Sequence, residues 1–155
     1  MLRAVSHLPA GHNQGTPFDG VELEHDARRL RRKLLTLRGG GGEVMVDFPQ
    51  TITLEHEGAL QLDDGRLVAV IAAPEQLYAV HGRDSGHLVR LAWHIGNRHT
   101  AAQLEAERIL IKADHVLKPM LEGLGARITA VREPFFAEHG AYHSHETPGH
   151  ALLAR

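Results

Sequence analysis

Apolar residues follow two different rhythms along this chain, and the rhythm changes near Pro74. In the first half they form short runs punctuated by turn residues. Leu34-Leu35-Thr36-Leu37 and Val44-Met45-Val46-Asp47-Phe48 flank Gly39-Gly40-Gly41-Gly42. Two apolar runs around a glycine turn predict a β-hairpin. Asp63-Asp64-Gly65 is a second turn signal, between Ala59–Leu62 and Arg66–Ala72. Val21 to Leu23 reads as a first short strand. Residues 1–20 hold Pro9, Gly11, Gly15, Pro17 and Gly20 among polar residues, which predicts a loose arm. Helical periodicity in this half is confined to 26–33, so the half reads as all-β.

Beyond Pro74 strands and helices alternate. Gln76–His81 reads as a strand. Asp84 or Ser85 can cap a helix whose apolar residues Leu88, Leu91, Ala92 and Ile95 recur at i, i+3, i+4 and i+7, the mark of one buried face. Gly96 and Asn97 supply its C-terminal stop. Ala101–Glu105 and Arg108–Lys112 predict two short strands around a turn at Ala106-Glu107. Asp114 caps a second helix with Leu117, Met120, Leu121 and Leu124 inward, ended by Gly125, and Ala126–Val131 predicts a last strand. Pro119 fits that helix poorly, because near a fifth helical position it removes a backbone bond. The chain after Pro134 has few apolar anchors and is expected to be mobile.

The fold class expected is therefore α+β. An N-terminal β domain occupies 1–73. A ferredoxin-like βαββαβ domain follows over 74–134. A flexible, histidine-containing tail covers 135–155.

Composition narrows the chemistry. The chain has 155 residues, 13 His, no Cys and a net charge of −2 with His neutral. Without cysteine there is no disulfide framework, thiolate zinc finger or cysteine nucleophile. No apolar run approaches the roughly 18 residues of a membrane helix, and the start lacks the apolar block of a signal peptide, so a cytoplasmic location is expected. The global charge does not ask for nucleic acid or lipid. One basic cluster stands out, Arg28, Arg29, Arg31, Arg32 and Lys33. It reads either as a solvated face or as a docking patch for an acidic protein or a phosphate backbone. Phosphate loops, a Gly-x-Ser-x-Gly elbow and HExxH are all missing from the sequence, which leaves no catalytic constellation.

Histidine remains. Imidazole suits nickel, copper and zinc and is a poor ligand for hard cations. On the first helix His87, Arg90, His94 and Asn97 fall on the face opposite Leu88, Leu91 and Ile95. His99 lies just past the helix stop, where it is held by rigid structure yet can reach the surface. A lone His there also suits a plainer role, a cation offsetting the helix dipole. His143 and His145, two apart, point the same way in an extended chain and could meet one ion. His139 and His150 complete a histidine-rich terminus, a recognised metal signature. His115 follows the cap of the second helix, where a neutral imidazole is favoured.

The stretch Leu88-Val89-Arg90-Leu91-Ala92-Trp93-His94-Ile95-Gly96-Asn97-Arg98-His99, then Arg108-Ile109-Leu110-Ile111, Asp114-His115-Val116-Leu117, Gly123-Leu124-Gly125-Ala126 and Gly140-Ala141-Tyr142-His143, resembles the urease accessory protein UreE family, the nickel metallochaperones. The resemblance is specific over about 84–143 and looser over 21–83. It implies a non-enzymatic carrier of Ni(II), with Zn(II) or Cu(II) as alternatives in vitro. It implies a homodimer joined through the C-terminal domains, with His99 of two copies sharing one nickel. His143, His145 and His150 of the tail would complete the coordination. His115 matches an accessory ligand of some members, although Ala113 stands where those members place a second His. The implied partners are the urease apoprotein and its accessory GTPase, with no nucleic acid and no membrane. The competing expectation is a metal-independent protein- or RNA-interaction module that uses Arg28–Lys33.

Overall fold

A computed structural model describes residues 1–12 and 15–139. The fold is mixed and strand-rich, with two helices and two sheets. The chain forms two compact units, Met1–Glu75 with Glu133–Phe135, and Gln76–Arg132 with the described residues from Phe136 onward.

The first unit is a six-stranded sheet built from β1 (Leu2–Leu8), β2 (Asp19–Leu23), β3 (Arg29–Thr36), β4 (Glu43–Thr53), β5 (Ala59–Leu62) and β6 (Leu67–Ala72), in the order β2-β6-β5-β1-β4-β3. Both expected turns are present. β3 pairs antiparallel with β4 from Thr36↔Glu43 onward, and β5 with β6 through Leu60↔Val68. The glycine turn has a grip that local pattern does not show. The Asp19 carboxylate accepts N–H bonds from Gly39 at 2.8 Å and Gly41 at 3.1 Å. A Cβ on either glycine would come within 2.7 Å of that carboxylate. The Gly20 N–H bond first of all, then those of Gly39 and Gly41, holds the Asp19 pKa below the usual carboxylate value.

Three expectations fail here. Residues 1–20 are not a loose arm throughout, because β1 runs parallel to β4 (Leu2↔Val44) and antiparallel to β5 (Leu8↔Ala59). Its inward Ala4 is completely buried. The pairing partners lie more than forty residues away, so no local pattern signals them. The 26–33 stretch is a single 3-10 turn, Asp26–Arg28, leading into a strand. Leu30 and Leu35 are both buried in the core although they stand an odd number of positions apart. Strict alternation forbids that, and the irregular register between Leu30 and Arg32 supplies the missing slip. Arg28, finally, does not belong to a surface cluster. It is buried, donates to Leu23 O at 3.0 Å and to Phe135 O, and burial pushes its pKa down against the opposing pull of Glu75. Arg29, Arg31, Arg32 and Lys33 remain exposed on β3, an edge strand, where charge discourages further strand pairing.

The second unit reads β7 (Pro74–His81), α1 (Ser85–Asn97), β8 (Gln103–Leu104), β9 (Ile109–Lys112), α2 (Leu117–Gly123) and β10 (Arg127–Pro134), with sheet order β10-β7-β9-β8. Leu88, Leu91 and Ile95 of α1 and Leu117 and Leu121 of α2 pack with Val80, Ile109 and Ile111 of the sheet. Each such side chain contributes about 1.5–3 kcal/mol of burial. Asp84 caps α1 by accepting the His87 N–H at 2.7 Å. Pro119 does not interrupt α2. It is the third residue of α2, in the first turn, where its missing N–H would have had no intrahelical partner. The segment after Pro134 starts with an anchor, because Phe135 is fully buried and its ring lies 5.0 Å from that of His25.

Candidate metal centre

The end of α1 decides where the candidate ligand points. The His99 N–H donates to Gly96 O at 3.0 Å and the Thr100 N–H to Ile95 O at 3.4 Å, the paired bonds of a Schellman cap. That cap needs a left-handed residue, normally glycine. Here His99 occupies the position with φ +56°. Gly96 and Asn97, read from the sequence as the stop, lie inside the helix. An L-residue in this conformation costs on the order of 1–2 kcal/mol, although His tolerates it better than most. The strained position leaves the imidazole exposed.

His99 lines a shallow depression of about 380 Å³ whose walls include Ala92, Gly96, Ala102 and Leu104. Glu138 and His139 line the same depression. The helix behind it presents its negative dipole end, which favours a cation. A Cβ at Gly96 would meet nothing within 4 Å, so the bareness of this position serves no contact inside the described residues.

The other expected ligands fall in different places. His115 is exposed between Asp114 and α2. The Asp114 carboxylate accepts from Val116 N–H at 2.7 Å and Leu117 N–H at 3.0 Å. Those bonds, with the charges of His115 and Arg98, hold its pKa below the usual value. Arg98 adjoins His99, so the start of α2 lies in the field of the α1 terminus. His143, His145 and His150 lie outside the described residues. Among the described residues no group of three or more His, Asp or Glu is gathered closely enough to hold a metal ion. Among the described residues His99 therefore has no such ligand set around it.

His87 is not on an open polar face. It is buried, Nδ1 accepts the Arg83 N–H at 3.0 Å, and Nε2 donates to Leu124 O at 2.8 Å. That imidazole ties the start of α1 to the end of α2. Conversely, the placement of Glu138 and His139 beside His99 was missed by sequence reasoning. His139 showed only as one more terminal histidine, and nothing local says where the chain beyond Phe135 turns.

With this geometry in place the comparisons with known proteins are decisive. Residues 1–73 match the model of the UreE urease accessory protein N-terminal domain, and 75–153 match that of its C-terminal domain. The chain belongs to the UreE urease accessory protein family. A urease accessory protein UreE of Rhizobium rhizogenes (strain K84 / ATCC BAA-868) is 50% identical over 150 residues, 97% of this chain and 89% of that protein. The UreE protein of Agrobacterium fabrum (strain C58 / ATCC 33970) is 48% identical over 150 residues, 97% of this chain and 92% of its own length. That of Chelativorans sp. (strain BNC1) is 48% identical over 151 residues, covering 97% and 93%. As a UreE protein the chain is an accessory protein and not an enzyme. No helix among the described residues is long and apolar enough to cross a membrane.

Proposed function

We propose that this UreE protein is a nickel metallochaperone. It would hold Ni(II) between two copies of the chain and deliver it, through the accessory GTPase, to the urease apoprotein in the cytoplasm. The observation that carries the reading is the strained, exposed His99 at the Schellman position of α1. The second unit supports it, because its βαββαβ order and strand order β10-β7-β9-β8 fit the ferredoxin-like domain expected of such a carrier. The same helix offers an interface. Val89 and Trp93, 69% and 63% exposed, lie one turn apart and lead to the bare Gly96. An apolar stripe of this kind on a helix surface is worth covering. A two-fold axis near it doubles each His99, and a homodimer thereby supplies ligands that one chain lacks. His143, His145 and His150 are the tail ligands of this proposal, and His115 an accessory one. Copper and zinc would also bind in vitro, because imidazole sites follow the Irving–Williams order and do not single out nickel.

Calorimetric titration of nickel into wild type and His99→Ala, with the oligomeric state measured by light scattering, tests the proposal. One shared high-affinity ion per dimer in the wild type, lost in the variant, is the expected result. Equal affinity and stoichiometry in the two proteins would remove His99 from the site. The basic-cluster reading loses Arg28, which is spent on the Leu23 and Phe135 carbonyls, and would rest on the exposed Arg29, Arg31, Arg32 and Lys33.

A further inference from the structure

Residues 136–139 are tied down before any metal is considered. Phe136 N–H donates to Gln103 Oε1 at 2.8 Å, and Glu138 N–H donates to Ala102 O at 2.7 Å. The second of these is a backbone bond that lays the segment beside the start of β8. One residue later stands His139, exposed, on the wall it shares with His99. Small side chains line much of the space between them, and Glu138 adds an anionic group to the same rim.

We propose that His139 is a metal ligand of this chain and forms with His99 a two-imidazole landing site for a hydrated divalent ion. The inference rests on the nickel reading and adds to it the first step of capture. A ligand recruited from any loose segment costs the conformational entropy of every residue that must be ordered to place it. His139 is spared most of that cost because its neighbour is already hydrogen-bonded to the wall. Two nitrogens are too few to bury an ion. Water keeps the remaining positions, so the ion stays exchangeable until a second copy or further histidines replace it. The negative end of α1 and the Glu138 carboxylate favour a cation over an anion in this depression.

The test uses the full chain with His143, His145 and His150 all changed to Ala, titrated with nickel chloride. Calorimetry gives the affinity, and paramagnetic broadening of imidazole proton signals identifies the rings that touch the ion. The background protein is expected to bind nickel weakly, with both His99 and His139 broadened. Adding His139→Ala should lower that affinity by about a hundredfold, the low end of what linking two weak binding groups provides. Both residues are exposed, and far-UV circular dichroism checks that the variants fold. A His139→Ala change without effect, where His99→Ala does weaken binding, overturns the inference and leaves the nickel reading standing. A background that binds no nickel at millimolar concentration also overturns it. Failure of His99→Ala to matter in any background overturns both.

Discussion

His99 shows how one residue can trade stability for use. Its left-handed backbone closes the α1 cap, a position that glycine fills without penalty. Replacing it with glycine should therefore stabilise the second unit while removing the imidazole. We expect His99→Gly to raise the unfolding free energy by about 1 kcal/mol in urea titrations and to abolish shared nickel binding. A His99→Gly protein that is less stable than wild type would mean that the imidazole itself holds the cap together. His87 has the opposite character. Both of its ring nitrogens serve backbone groups, and its contribution is to the join between the helices.

At the scale of elements, the two helices of the second unit are started by carboxylates and stopped by left-handed residues. Asp114 illustrates the charge dependence of such a start. Its folded pKa lies below its ordinary 3.8, because the Leu117 and Val116 N–H groups stabilise the carboxylate. A depressed carboxyl pKa contributes stability that is present above the unfolded pKa and lost as pH falls through the folded one. The stability difference between wild type and Asp114→Ala should hold at neutral pH and shrink as pH falls below about 3.8. A difference that stays constant down to pH 2 would show that the carboxylate charge is irrelevant. Gly96 makes a second case. An alanine there meets no atom within 4 Å and suits a helix better. Gly96→Ala should stabilise the folded monomer by roughly 0.5–1 kcal/mol and weaken dimerisation or nickel binding, read by ultracentrifugation and calorimetry. Stabilisation with both functions intact would mean that nothing approaches this position.

For the whole molecule, ligand linkage distinguishes the two units. Nickel at about a hundred times its dissociation constant should add about 2.7 kcal/mol to whichever unit binds it. Trp93 is the sole tryptophan and lies in the second unit, so its fluorescence reports that unit alone. Its unfolding transition is expected to move to higher denaturant with nickel and to return when a chelator is added. The remaining circular dichroism change, from the six-stranded sheet, should stay in place. A nickel-independent tryptophan transition would locate the ion away from α1.

Much of this architecture was legible because it is local. The β3–β4 and β5–β6 turns, the inward stripe Leu88, Leu91 and Ile95, the Asp84 cap and the Gly125 stop all follow from neighbours a few residues apart. The Trp93–His99 motif also marked the family from sequence alone. What the local pattern missed depends on distant partners. β1 has one small, fully buried residue, Ala4, with Leu2 partly buried against the same core, and becomes a strand because β4 and β5 pair with it from either side. Arg28 looked like surface charge until the Leu23 and Phe135 carbonyls closed over it. Sequence thus determined which segments are helix or strand wherever a side-chain rhythm had to match a backbone period. Only the tertiary structure decided that His87 is a strut and that His139 shares the wall of His99, because each depends on which distant groups come together after the chain has folded.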